Sequence, residues 1–82
     1  MRYKVYYWSN DDVYDYEECY GEGTFDLNIP GIYGSVIQFG VCKLETDDKK
    51  EAERKCRQIS ESLRAFDCCA IWDDYEDYWF DC

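Results

Sequence analysis

The chain has 82 residues, a length that suits one small hydrophobic core, and we expect a single domain spanning residues 1–82. Hydrophobic residues make up 46% of it and aromatic residues 20%, while 19 acidic residues against 9 basic ones and no histidine give a net charge of -10. Such a charge repels phosphate backbones and anionic lipids, so we expect no direct binding to nucleic acid and none to a membrane.

The first twenty residues predict a β-hairpin. Residues 1–8 alternate between two sets of side chains, which is the period of a strand. Residues 9–12 have the composition of a turn, and residues 13–20 are expected to be extended again. The sequence therefore predicts that these two extended segments pair.

The next part of the chain predicts two further extended segments. Residues 25–29 alternate in polarity, which is typical of a short strand or an extended arm before the proline at position 30. Residues 35–44 are rich in β-branched and aromatic side chains and are apolar on both faces in part. We expect this second segment to be a central strand.

The clearest helix signal spans residues from about 47 to 66. The segment 46–48 followed by Glu51 provides capping oxygens and negative charge at the start of a helix. One apolar stripe at helical spacing follows, formed by Ala52, Cys56, Ile59, Leu63 and Phe66. We expect this stripe to lie on a sheet.

The end of the chain predicts a second hairpin. Residues 68–72 are expected to form a strand under the helix, and residues 73–76 to turn the chain into a last strand at 78–81. The predicted fold class is α+β, with a mostly antiparallel sheet of four to six strands and one helix packed on one face. The other face and the hairpin tips would then be uncovered.

The charges are concentrated in two acidic segments, residues 10–26 and 67–82, which hold 13 of the 19 acidic residues and no lysine or arginine. Bases are usually scattered among surface acids, so this separation favours a functional surface over an ordinary solvated face. We expect both segments to converge on the uncovered side. The candidate partner-binding residues are Asp11, Asp12, Asp15, Glu17, Glu18, Glu22, Asp73, Asp74, Tyr75, Glu76, Asp77, Tyr78 and Asp81.

Catalysis and metal binding are poorly supported by the residue types present. Without histidine, a cysteine or serine nucleophile would need a lysine or carboxylate as its base, so we expect no enzyme. The carboxylate runs lack the spacing of an EF-hand, which leaves at most weak Ca²⁺ or Mg²⁺ binding, and the cysteines lack zinc-site spacing. We expect no cofactor and no functional metal.

Six cysteines, at positions 19, 42, 56, 68, 69 and 82, are compatible with either free thiols or a disulfide framework. No apolar run at the N-terminus suggests an export signal, so we expect a cytoplasmic protein with reduced thiols. Cys56 and one of Cys68 and Cys69 are expected to be buried, and whether any of the six pair stays open.

Carboxylates mixed with aromatic residues at 11–18 and 73–79 make the chain resemble the small phage-encoded DNA mimics, especially the anti-CRISPR proteins. The resemblance implies an inhibitor that acts in the host cytoplasm on a CRISPR-Cas effector or a similar complex. It would occupy the basic groove that reads the protospacer-adjacent motif or the duplex.

The leading hypothesis is therefore an acidic inhibitor, monomeric or weakly dimeric, that competes with DNA or RNA for a basic nucleic-acid-binding protein. The alternative is an acidic adaptor or immunity-type protein that binds a basic protein without imitating nucleic acid. Competition with nucleic acid separates the two.

Overall fold

A computed structural model describes residues 1–27, 33–64 and 67–81. Within them the chain forms an α+β fold whose four-stranded sheet has the order β2-β1-β3-β4, and every neighbouring pair is antiparallel. The strands are β1 (Tyr3–Trp8), β2 (Val41–Thr46), β3 (Cys68–Asp73) and β4 (Tyr78–Phe80), and the helices are α1 (Asn10–Tyr20), α2 (Gly34–Ile37) and α3 (Lys49–Ser60). The predicted fold class is confirmed.

Strand β1 lies in the middle of the sheet and pairs on both sides. Its register with β3 sets Tyr3 opposite Asp73 and Trp8 opposite Cys68. Because side chains alternate along a strand, Val5 points to one face and Trp8 to the other, and both are fully buried. The strands predicted at 1–8, 68–72 and 78–81 are confirmed, as is the turn between the last two.

Helix α3 covers one face of the sheet. Asp48 caps it, since its Oδ1 accepts a hydrogen bond of 2.9 Å from the backbone N–H of Lys50. Ala52 and Cys56 point inward and pack with Val5 and Ile71. The helix is confirmed, but it ends at Ser60, and the predicted contact of residue 66 lies outside the described residues.

The opposite face is also covered, which corrects the expectation of an open face. Helix α1, helix α2 and the segment 24–27 pack against it. The buried residues of this second core are mainly aromatic: Tyr6, Trp8, Tyr16, Val36, Ala70, Trp72 and Trp79. The indole N–H of Trp8 donates a 2.8 Å hydrogen bond to the carbonyl oxygen of Val36, which fixes α2 to the sheet. Tyr16, Trp72 and Trp79 of this core come from the acidic segments.

Three predicted strands are wrong in whole or in part. Residues 13–20 belong to helix α1 and make no hairpin with β1. Residues 25–27 form no strand and pack against the aromatic core, while 28–29 lie outside the described residues. Of the strand predicted at 35–44, the first part is helix α2 and only the end is strand, because β2 begins at Val41, after Gly40.

Candidate partner-binding surface

Helix α1 begins with a capping box, which explains why the first acidic segment is helical. The hydroxyl of Ser9 accepts a hydrogen bond of 3.2 Å from the backbone N–H of Asp12, and the Asp12 carboxylate accepts one of 2.9 Å from the N–H of Ser9. Asp11 and Asp12 also place negative charge near the positive end of the helix dipole. Asp12 is therefore a capping residue, half-buried and engaged within the chain.

Tyr16 fixes which side of α1 faces the sheet. Its side chain is 3% exposed, and its ring meets Phe25 edge-on at 5.4 Å and Phe39 at 5.6 Å between centroids. Val13, one turn earlier, packs against the same core. Because residues three and four apart share a helix face, the opposite side of α1 must face solvent.

The solvent side of α1 carries Asp11, Asp15 and Glu18, all exposed, and we name these three residues the α1 acidic face. Their spacing of four and three residues corresponds to rises of about 6 and 4.5 Å along one side of the helix. Tyr14 lies beside them, 60% exposed, and its hydroxyl donates a 3.1 Å hydrogen bond to Glu18. That hydrogen bond and the negative charge of Glu18 raise the pKa of Tyr14.

The other two acids predicted in this region have different surroundings. Glu17 is half-buried, and its Oε2 accepts a 2.6 Å hydrogen bond from the backbone N–H of Gly23, so it closes the loop after α1. Glu22 is exposed within that loop. Gly21, with φ of 116°, ends the helix in a conformation that favours glycine.

The second acidic segment contains one carboxylate that is buried and bonded within the chain. Asp73 is 3% exposed and accepts hydrogen bonds from Arg2 Nε at 3.1 Å and Arg2 Nη2 at 3.2 Å. It also accepts the backbone N–H groups of Tyr75 at 3.0 Å and Glu76 at 3.2 Å, which shapes the β3–β4 turn. Asp73 is therefore a structural residue, and we leave it out of the candidate surface.

The remaining residues of the turn are exposed, and we name Asp74, Tyr75, Glu76 and Asp77 the turn patch. Tyr75 is 76% exposed, and the Arg2 guanidinium lies 4.9 Å from its ring centroid. The Trp72 indole N–H donates a 3.1 Å hydrogen bond to the Asp74 carboxylate, which therefore lies beside the aromatic core. Tyr78 and Asp81 are exposed along and beyond β4.

The start of α1 and the β3–β4 turn lie at opposite ends of β1. Helix α1 follows Trp8 directly, and the N–H of Asn10 donates a 2.8 Å hydrogen bond to Asp67. The turn lies beside the first residues of the chain, where the N–H of Asp74 donates a 2.8 Å bond to the Arg2 carbonyl. Six strand residues separate these ends, about 17–20 Å. The start of α1 is therefore far from the turn, whereas Asp67, the first residue of the second acidic segment, lies beside the start of α1.

Most basic charge lies on the other side of the sheet. Helix α3 carries five of the nine lysine and arginine residues, at positions 49, 50, 54, 55 and 57, and packs on the face opposite α1. In the described part of the chain, no lysine or arginine nitrogen lies within 4 Å of the carboxylates of Asp11, Asp15 or Glu18. Among the described residues, the α1 acidic face therefore forms no salt bridge.

Asp67 and Arg2 have structural roles that the sequence did not indicate. The Asp67 carboxylate accepts hydrogen bonds from the Tyr7 hydroxyl and from the N–H groups of Asn10 and Arg64, and so joins the start of α1 to the sheet. Burial alone would raise the pKa of Asp67, but these hydrogen bonds outweigh it and the pKa is lowered. Only the pairing of distant segments reveals such partners.

Comparisons with protein-family models, with curated proteins and with solved structures give no significant match. Among residues 1–27, 33–64 and 67–81, no group of three acidic or cysteine side chains is arranged to hold a metal ion. None of the helices in this part of the chain has the length and apolar character needed to cross a bilayer.

Proposed function

We propose that this chain binds the basic groove of a nucleic-acid-binding protein through the α1 acidic face, with the turn patch as a second contact, and thereby blocks nucleic-acid binding. The observation that carries the proposal is the segregation of charge. Exposed carboxylates line one side of α1, and within residues 1–27, 33–64 and 67–81 no lysine or arginine nitrogen lies within 4 Å of them, while α3 holds most of the bases on the far side of the sheet.

The spacing of the α1 acidic face suits a groove built to hold phosphates. Along the helix axis, neighbouring residues of this face are about 4.5 and 6 Å apart. Successive phosphates of one DNA strand are about 3.4 Å apart along the duplex axis, and their direct separation is larger because the strand winds around that axis. Arginine side chains form paired hydrogen bonds with carboxylates as they do with phosphates. A partner arginine that binds DNA can therefore bind this helix.

The exposed tyrosines add contacts that a bare charge pattern lacks. Tyr14 lies beside the α1 acidic face and Tyr75 lies within the turn patch, and both are more than half exposed. An arginine of the partner can stack on such a ring while its guanidinium bonds a neighbouring carboxylate. The net charge of -10 draws a basic partner in at a rate that falls with added salt.

The resemblance to anti-CRISPR proteins makes a CRISPR-Cas effector complex one target of this class. The test uses a panel of purified basic nucleic-acid-binding proteins that includes such complexes, and measures their binding to labelled duplex DNA with and without the chain. We expect the chain to abolish DNA binding by its target at near-equimolar concentration.

Two triple variants with the same change in net charge separate a docking surface from bulk charge. The first carries Asp11→Asn, Asp15→Asn and Glu18→Gln on the α1 acidic face, and the matched control carries Glu51→Gln, Glu53→Gln and Glu61→Gln on and just beyond α3. We expect the first to weaken inhibition by roughly 10- to 100-fold, since each lost charge pair contributes up to about 1 kcal/mol. The control should inhibit like the wild type.

Two outcomes would count against the proposal. If both triple variants lose inhibition equally, the inhibition depends on the net charge of the chain and not on a docking surface at α1. If the chain binds a basic protein whose DNA binding is unchanged, the chain is an adaptor of the alternative class.

A further inference from the structure

Two cysteine sulfurs meet between α3 and β3. Cys56 Sγ lies 3.4 Å from Cys69 Sγ, and Cys69 Sγ also lies 3.9 Å from the carbonyl oxygen of Cys56. Cys56 is fully buried in the core under α3, and Cys69 is half-buried beside it. The pair is therefore accessible from one side, through Cys69.

We propose that Cys56 and Cys69 form a reversible intramolecular disulfide, with a low-molecular-weight disulfide such as glutathione disulfide as the oxidant. A disulfide requires the sulfurs to approach to about 2.05 Å. They already face each other across one helix–strand contact, so rotation about the side-chain bonds and a small shift of α3 supply the remaining approach. No unfolding is required.

The reaction proceeds as two thiol–disulfide exchanges. The Cys69 thiol loses its proton, and its sulfur attacks one sulfur of glutathione disulfide, so that the first glutathione leaves as a thiolate and a mixed disulfide forms on Cys69. The sulfur of Cys56, after losing its proton, then attacks Cys69 and displaces the second glutathione thiolate. The two released protons convert the two thiolates to thiols, so two protein thiols are oxidised and one glutathione disulfide is reduced.

The positions of other cysteines favour this pair. Cys68 is next to Cys69 in sequence but points to the opposite face of the sheet, where it packs against the aromatic core. Burial, followed by the charges of Asp67 and Asp81, raises the pKa of Cys68. Burial also raises the pKa of Cys42, on β2, with Glu45 adding to it. At neutral pH, less of each of these two thiols is therefore in the thiolate form that attacks a disulfide than in an ordinary cysteine.

The disulfide would join α3 to the sheet across cysteines 13 residues apart in sequence. It would stabilise the fold by restricting the unfolded chain. Because α1 packs on the other face of the sheet, the α1 acidic face is left as it is. This inference therefore stands independently of the proposed function.

The test equilibrates the full wild-type chain in glutathione buffers of graded oxidised-to-reduced ratio, followed by alkylation of the remaining thiols and intact-mass and peptide mapping. We expect one internal disulfide that links the peptides containing Cys56 and Cys69, with the mass of two hydrogens lost. The melting temperature should rise by roughly 10 °C on oxidation and return on reduction.

The Cys69→Ser variant removes one thiol of the pair. The matched control is Cys19→Ser, which removes an exposed thiol away from the pair. We expect Cys69→Ser to lose both the disulfide and the oxidation-dependent rise in melting temperature, and Cys19→Ser to keep both. Peptide mapping of the wild type decides the matter even if a variant folds poorly. A pair that stays reduced at every glutathione ratio, or a disulfide that maps to other cysteines or between chains, would overturn the proposal.

Discussion

Replacing Asp73 by asparagine should destabilise the fold, even though it removes one negative charge from a strongly acidic chain. The backbone N–H groups of Tyr75 and Glu76 donate hydrogen bonds to Asp73 Oδ1 at 3.0 and 3.2 Å. Asparagine keeps one side-chain oxygen that can accept both of them. Its amide nitrogen, however, would face Arg2 Nη2, which now donates to Asp73 Oδ2 at 3.2 Å. Two donors would then meet, and the bidentate ion pair is lost.

The expected loss for Asp73→Asn is about 1–2 kcal/mol of unfolding free energy. Hydrogen bonds to charged groups contribute about 1.5–3 kcal/mol. The Arg2 side chain is 40% exposed, so solvent screening lowers the value. For a chain of this size, such a loss corresponds to a fall in melting temperature of roughly 4–16 °C.

The difference in unfolding free energy between wild type and Asp73→Asn should disappear as the pH falls. Burial raises the pKa of Asp73, but the hydrogen bonds from Arg2 and from the amides of Glu76 and Tyr75 outweigh it, so the pKa lies below its ordinary value. The carboxylate therefore contributes its full stability above the unfolded-state pKa of about 3.9, and loses it as the pH falls through the lower folded-state pKa. Wild type and variant should become equally stable in that acidic range.

Urea unfolding followed by tryptophan fluorescence at a series of pH values measures this difference, since Trp72 and Trp79 lie beside the turn. Glu76→Gln is the matched control, because it removes the same charge from an exposed neighbour and should cause no loss. The reasoning is refuted if Asp73→Asn is as stable as wild type at neutral pH, or if its loss does not change as the carboxylate is protonated.

Two further substitutions test how the helices are attached to the sheet, both by the midpoint of urea unfolding. Ser9→Ala removes the capping hydroxyl of α1 and should lower the unfolding free energy by about 1 kcal/mol; an unchanged midpoint would show that the cap contributes nothing. Gly40→Ala places a methyl group 2.5 Å from the Trp8 indole nitrogen, so we expect a loss of about 1–3 kcal/mol, whereas Gly34→Ala, with nothing within 4 Å, should show none.

The sequence of α1 carries two conflicting signals. Tyrosines at alternate positions 14 and 16, separated by an acid, imitate the period of a strand. The helical signal was also present, because Ser9 and Asp12 form a capping box and Val13, Tyr16 and Tyr20 follow at helical spacing. In the folded chain the capping box and the helical spacing prevail over the alternation.

Helix α3 and the β3–β4 hairpin were predicted because their signals are local and agree with one another. Asp48 caps α3, and the inward positions of Ala52 and Cys56 follow directly from helical periodicity. The burial of Asp73 could not be predicted in the same way. Its partner Arg2 is 71 residues away in sequence, and only the pairing of β1 with β3 brings them together.

The covered second face of the sheet likewise depends on contacts between distant segments. Trp8, Tyr16 and Trp79 come from three separate elements, and Tyr16 lies between two acidic residues that suggest exposure. Aromatic residues supply a large buried area per residue, which lets a short chain build two cores. In α1, Asp11, Asp15 and Glu18 face solvent because Val13 and Tyr16 face inward.

The proposed function requires that the chain and nucleic acid exclude each other from one partner. The decisive measurement is the affinity of the N-terminally labelled chain for an inhibited DNA-binding protein, taken at increasing concentrations of its duplex DNA. The apparent Kd should rise in proportion to the DNA concentration once the DNA saturates its site, and no complex should contain both ligands. A ternary complex of partner, DNA and chain, with an unchanged Kd for the chain, would contradict the proposal.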